Sequence, residues 1–379
     1  MSPSKLIDGK LLATGEAVTV ECRESRVVRV TPLPSPPEDL PWLAPGLVDI
    51  QINGSAGHDL NGPDPSPETA AALADHLRAT GVTRFCPTIV TDAFDAMEAR
   101  LRAIARACES DRQVDDAVLC IHLEGPFISP EDGPRGAHPA SHVQPASLAV
   151  FDQLNAAAGE RIGIVTLAPE VPGAMDLIAE LSARGIVVAL GHTGATRSQV
   201  REATLMGATL STHLGNGAHA ELPRHDNYLW EQLAADELWA SFIPDGHHLP
   251  GSVLKAMIRA KGLTRSILVS DAIFAAGMEP GRYAFAGQEI DLLESGRVNL
   301  AGTPYLAGSG LSLPDGVARC HGLTGLPLVD CWAMASLNPL RLLGFRRAQR
   351  RLMPGFPARH IVRFEAPADA AQPSVVFGD

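Results

Sequence analysis

Val118-Leu119-Cys120-Ile121-His122-Leu123-Glu124-Gly125 is an apolar run that closes on a carboxylate, and Pro126-Phe127 follow it directly. Apart from His122 the run is apolar on both faces, as a parallel strand covered from both sides is. Three later runs end the same way, in Gly191-His192-Thr193, Thr212-His213-Leu214 and Ser270-Asp271-Ala272. A barrel of parallel strands would bring together a carboxylate, two imidazoles and an aspartate at successive strand ends.

Working outward, eight runs of this kind are found, at 47–53, 83–90, 118–125, 162–170, 186–193, 209–216, 238–246 and 266–273. Stretches with apolar residues at helical spacing separate them, at 67–79, 93–107, 174–183, 198–206 and 251–260. Strand then helix, repeated around eight strands, predicts an α/β fold of the (β/α)8 TIM-barrel class. Residues 284–298 read as an inserted hairpin, and 331–343 as a late helix ending near Gly344.

The chain has 379 residues, enough for such a barrel with an appendage. Residues 1–44 hold short extended pieces, including Val18-Thr19-Val20-Glu21-Cys22 and Arg26-Val27-Val28-Arg29-Val30, before a Pro-rich stretch at 32–41. The tail is strand-like again at 358–364 and 374–377. A small β-sandwich domain built from both termini, 1–44 with 346–379, is therefore expected beside a barrel at 45–345.

Composition excludes several classes of function. A formal net charge of −12 opposes general binding to nucleic acid or an anionic membrane. The six cysteines are scattered without a CxxC pair, which indicates neither a disulfide framework nor a thiolate zinc site. Met1-Ser2-Pro3-Ser4-Lys5 does not lead a basic stretch into a long apolar one, so a cytoplasmic protein is expected.

In a barrel of this class the functional residues gather at the C-terminal ends of the strands. Glu124, His192 and His213 make a three-ligand set that leaves one coordination position open for water, as catalytic zinc sites do. Asp271 would stand beside that water as general base.

These motifs resemble the amidohydrolase superfamily and, within it, the N-acetylglucosamine-6-phosphate deacetylases. The resemblance runs through most of the chain: Pro45–Gly54, His122–Pro130, Gly191–Thr196, Ser211–Asn216, Asp245-Gly246-His247 and Ser270-Asp271-Ala272, in order. It implies one divalent metal, zinc, on Glu124, His192 and His213, with Asp271 activating its water. It implies that His138 polarises the amide carbonyl, that Asn216, Gly217, Ala218 and His247 contact the sugar, and that Leu306-Ala307-Gly308 belong to a loop closing over it. It further implies a homodimer in which Arg224 grips the substrate's phosphate across the interface, the guanidinium being suited to bidentate phosphate binding.

Many amidohydrolases open their barrel with His-x-His, which supports a second metal. Here those positions are Gln51 and Asn53, so the resemblance is to the single-metal branch. Asp49 is expected to accept hydrogen bonds below the site, and His122 to support it. The stretch from His219 to Trp230 departs from the family's Gly-rich loop and places Glu221 near Arg224, while Gly133-Pro134-Arg135-Gly136 lengthens the loop before His138 and adds a cation. Hydrolysis of the acetamide of N-acetylglucosamine 6-phosphate is the expected reaction. The rival readings are deacetylation of another N-acyl amino sugar, including an unphosphorylated one, and a non-catalytic barrel used as a binding module.

Overall fold

Eight short parallel strands, hydrogen-bonded in chain order, surround the centre of the computed structural model, which describes residues 4–303, 305–345, 351–365 and the backbone of 376–377. They are Leu47–Ile52, Val82–Val90, Ile121–Glu124, Ile162–Leu167, Val187–Leu190, Leu210–Ser211, Trp239–Phe242 and Ser266–Leu268. The first and last meet through a parallel bridge between Ile52 and Ala272. Hydrogen bonds from Asn53 N to Ala272 O at 2.7 Å and from Asp271 N to Gln51 O at 2.9 Å complete the closure. All eight expected strands are present; seven are shorter than their apolar runs, and Val82–Val90 begins one residue before its run. The run continues past the last ladder hydrogen bond into the turn that carries function, which is why 209–216 contains only the two-residue strand Leu210–Ser211.

Alternation along the strands separates the two faces. On the fourth strand Ile164 joins an inner cluster with Ala189, Leu210, Ile267 and Leu340, and Thr166 above it faces His122. Val165 and Leu167 instead pack outward with helix residues such as Leu177 and Ile178. The barrel interior thus passes from an apolar floor to a polar upper layer.

The intervening helices begin where the chain supplies caps. Ser66 accepts from Thr69 N ahead of Pro67–Ala79, and Thr196 with Gln199 forms a capping box at Arg197–Leu205. Two elements differ from expectation. The late helix is broken into Leu328–Met334 and Leu337–Leu342, because the backbone leaves helical geometry at Ala335 and Ser336. The inserted hairpin has a third strand: Gly281–Phe285, Gln288–Leu292 and Val298–Leu300 form one antiparallel sheet.

The strands expected of the two termini combine in one six-stranded sheet. Ile361–Glu365 runs antiparallel to Trp42–Pro45, which pairs in parallel with Lys5–Leu11, followed by Ala17–Arg23 and Arg26–Pro32. Val376–Phe377 adds the opposite edge, while 374–375 and 346–350 lie outside the described residues. This sheet has its own apolar cluster, centred on Val18, Val20, Val27 and Leu43. It is fixed to the barrel by Trp332, whose ring stacks on Phe364 with centroids 4.5 Å apart and whose Nε1 donates to Pro45 O at 2.8 Å.

Candidate metal centre

Glu124 ends the third strand, and His192 and His213 are each the second residue past the fifth and sixth. Among the described residues they form the one cluster able to hold a metal, with their ligand atoms all within 4.8 Å of one another. Oε1 of Glu124 lies 3.1 Å from Nε2 of His213 and 3.3 Å from Nε2 of His192, and the two Nε2 atoms are 3.1 Å apart. Metal bonds of about 2.0–2.1 Å in tetrahedral geometry place ligand atoms about 3.3 Å from one another, so this triangle has the size a zinc-like ion requires. Nδ1 of His192 is 3.0 Å from the carbonyl of Pro134, to which it donates. That bond leaves the lone pair on Nε2, the tautomer a metal ligand needs. The residues therefore fit a divalent metal.

All three side chains are buried. Burial alone would push the Glu124 carboxyl up, but the two imidazoles against it outweigh burial and hold Glu124 well below the usual carboxylate range. Backbone strain collects at the same place. His192, His213 and Asp271 have φ of 50°, 29° and 48°, in the left-handed region that side chains other than glycine seldom adopt.

Asp271 is buried at the mouth of the last strand, where Nδ2 of Asn53 donates to its Oδ1 at 2.9 Å. Its pKa is pushed up to about 8, first by burial and then by the negative charge of Glu124. Gln51, two residues before Asn53, donates from Nε2 to Oε1 of Glu124 at 2.9 Å. The amides standing where a His-x-His pair would be thus bond the carboxylates rather than adding ligands.

His138 comes from the loop after the third strand, and its Nε2 lies 3.2 Å from Nε2 of His192. Burial, then the neighbouring His192, lowers its pKa to about 3, so the ring is neutral. Its Nδ1 is 2.9 Å from Oγ1 of Thr91. If the hydroxyl donates there, Nε2 carries the ring proton and can donate to a substrate oxygen.

The other expected contacts divide into two groups. Asn216, Gly217 and Ala218 form the turn after His213, with Asn216 Nδ2 donating to His213 O at 3.0 Å. Gly217 has φ 54°, and a Cβ there would come within 2.7 Å of His192 Nδ1. Leu306-Ala307-Gly308 are joined to the base: Ser309 N donates to Asp271 O at 2.9 Å, and a Cβ on Gly308 would come within 2.5 Å of Ile273 Cγ2. His247 Nε2 lies 3.1 Å from Ser295 O. Arg224 is exposed, and its guanidinium has no partner among the described residues.

Residues expected below the site are found there. Asp49 Oδ1 accepts from Gln51 N and Ser270 N, both at 3.3 Å. His122 bonds Ile50 O at 3.0 Å and Thr166 Oγ1 at 2.7 Å, so neither ring nitrogen faces the cluster. Arg135 donates to His138 O at 2.9 Å and pairs with Asp132, so the extra cation of its loop orders that loop. Two supporting residues escaped the sequence reading. Thr91 orients His138, and Glu170 accepts from Thr193 Oγ1 at 2.5 Å and Gly194 N at 2.6 Å, fixing the turn that carries His192. Their only sequence signal is position, just beyond the second and fourth strands.

No protein-family model matches the chain. Among curated proteins, N-acetylgalactosamine-6-phosphate deacetylase of Escherichia coli O157:H7 is 35% identical over 318 residues, 84% of this chain and 82% of the relative. N-acetylglucosamine-6-phosphate deacetylase of Bos taurus is 36% identical over 333 residues, 84% of this chain and 79% of the relative. The chain belongs to the N-acetylglucosamine-6-phosphate deacetylase family of the amidohydrolase superfamily.

A solved N-acetyl-D-glucosamine-6-phosphate deacetylase of this family, a Mycobacterium smegmatis mutant in complex with N-acetyl-D-glucosamine-6-phosphate, superposes with a TM-score of 0.85 at 27% identity, covering 99% of this chain and 97% of that one. The Klebsiella pneumoniae 5-methylcytosine deaminase, at 14% identity and TM-score 0.60, covering 98% of this chain and 94% of that one, shares the fold alone. Membership of the deacetylase family makes the chain a carbon-nitrogen hydrolase of a metal-dependent superfamily.

Proposed function

We propose that this chain hydrolyses the acetamide of N-acetylglucosamine 6-phosphate, releasing acetate and glucosamine 6-phosphate. The observation that carries the reading is the buried triangle of Glu124, His192 and His213 beside Asp271, in a chain of this family. Zinc is the ion proposed, on the nitrogen-rich ligand set and the spacing of its atoms.

Bound there, a divalent cation would acidify a water, polarise the amide and favour the ionised form of Asp271. Asp271 takes the proton as the water oxygen bonds to the carbonyl carbon. His138 donates to the oxygen on which negative charge develops. Asp271 then returns the proton to the nitrogen as the carbon–nitrogen bond breaks, giving acetate and a free amine. Asn53 holds Asp271 at one oxygen and leaves the other for these transfers.

Asn216, Gly217, Ala218 and His247 are proposed to contact the sugar, and the loop of Leu306, Ala307 and Gly308 to cover it. Exposure and lack of a partner support a role for Arg224 in the site of a second subunit, hence a homodimer. The free cysteines support a reducing compartment, the cytoplasm. No helix among the described residues is long and apolar enough to cross a membrane.

The E. coli relative's name supports a second substrate, the epimeric N-acetylgalactosamine 6-phosphate. Acetate release by the purified protein from both sugar phosphates and from unphosphorylated N-acetylglucosamine tests the reading. Turnover of the phosphorylated sugars with a large rise in KM in Arg224→Ala is expected. Unchanged turnover in that variant removes the phosphate contact, and no release from any amino sugar removes the substrate class.

A further inference from the structure

At the opposite end of the barrel from the metal centre, a cavity of about 740 Å3 opens between the strand starts and the terminal sheet. Its volume falls within the range of small-molecule sites. Among the described residues no carboxylate lines it, whereas Arg84 from the second strand, Arg26 from the terminal sheet and His360 do. Leu340, Phe345 and Phe356 supply an apolar wall.

Arg84 is the unusual member. Its guanidinium makes no hydrogen bond or ion pair among the described residues, and its Nε is sealed from solvent without a partner. Burial, then the nearby Arg359, pushes its pKa down to about 10. A half-buried cation facing other cations is costly unless an anion accompanies it. His360, only 6% exposed, presents a second orphan, its unpartnered Nδ1. The second arginine of the lining, Arg26, is anchored by a 2.8 Å bond from Nη1 to Gly355 O.

We propose that this cavity is a second ligand site, taking a small phosphorylated molecule whose phosphate pairs with Arg84 and Arg26 and whose apolar body lies on Leu340, Phe345 and Phe356. Arginine's planar fork suits a phosphate, and the ligand joins barrel to terminal sheet.

The test is calorimetric titration of the full chain with inorganic phosphate and with phenyl phosphate, in parallel with Arg84→Met and Arg224→Ala. Saturable binding that survives Arg224→Ala and weakens at least about tenfold in Arg84→Met is expected, with deacetylation by Arg84→Met within about twofold of the parent. Equal phosphate affinity in the parent and Arg84→Met overturns the site. Phenyl phosphate binding no tighter than phosphate overturns the apolar wall. Should Arg84→Met not fold, Arg26→Ala, on an exposed residue, decides the matter: weaker phosphate binding supports the site, and unchanged binding overturns it.

Discussion

The side-chain amide of Gln51 donates to the same oxygen of Glu124 that faces His192 and His213. A residue that elsewhere in the superfamily is a ligand thus orients a ligand here. Gln51→Ala removes that bond and leaves Oε1 free to rotate. Metal affinity is expected to fall about 10- to 100-fold, read by competition with a chromogenic chelator, without loss of fold.

Chelation should abolish deacetylation, and one equivalent of zinc per chain should restore it. Replacing His192 by Ala removes one of three ligands, so metal content by elemental analysis is expected to fall with activity. Activity that persists in the fully metal-free protein would contradict the proposed chemistry.

Asp271→Asn is expected to keep its metal while kcat falls about 10²- to 10⁴-fold, the range of a lost general base. The metal-free protein should also show a pH signature. The folded-state pKa of Asp271, about 8, lies above its unfolded value near 4, so its contribution to stability is full below about pH 4 and is lost as pH rises to about 8. Urea unfolding of the chelated parent and Asp271→Asn should diverge across that window, the parent losing on the order of 1 kcal/mol per pH unit relative to the variant.

A methyl group at Gly217 would fall 2.7 Å from His192 Nδ1, at a backbone φ of 54°. Gly217→Ala therefore displaces the imidazole or the turn. Weaker metal binding and a loss of about 1 kcal/mol or more in stability are expected, by chelator competition and thermal melting.

Thr91→Val deletes the hydroxyl beside His138 Nδ1 and leaves the ring free to change tautomer. Here kcat should fall roughly tenfold or more with metal content unchanged, and Thr91→Ser should recover most of it.

The barrel was legible because its strands are apolar on both faces and its helices are amphipathic, a contrast that survives without tertiary information. Glu124, His192, His213 and Asp271 were legible because each interrupts an apolar run at its end. Thr91 and Glu170 were not, since their importance lies in bonds to His138 and to Thr193 and Gly194, partners distant in sequence. The break at Ala335 and Ser336 was hidden for a related reason: apolar periodicity continues across it, and only the backbone geometry there ends the helix.

Trp42–Pro45 lies between Lys5–Leu11 and Ile361–Glu365 in the terminal sheet, so one of its neighbours precedes every barrel strand in the chain and the other follows them all. During synthesis its second edge stays open while every barrel strand emerges from the ribosome. The sheet acts as a clasp that closes only after the barrel, and an interrupted chain is left with an unpaired edge, the kind of surface on which nascent proteins aggregate or chaperones settle.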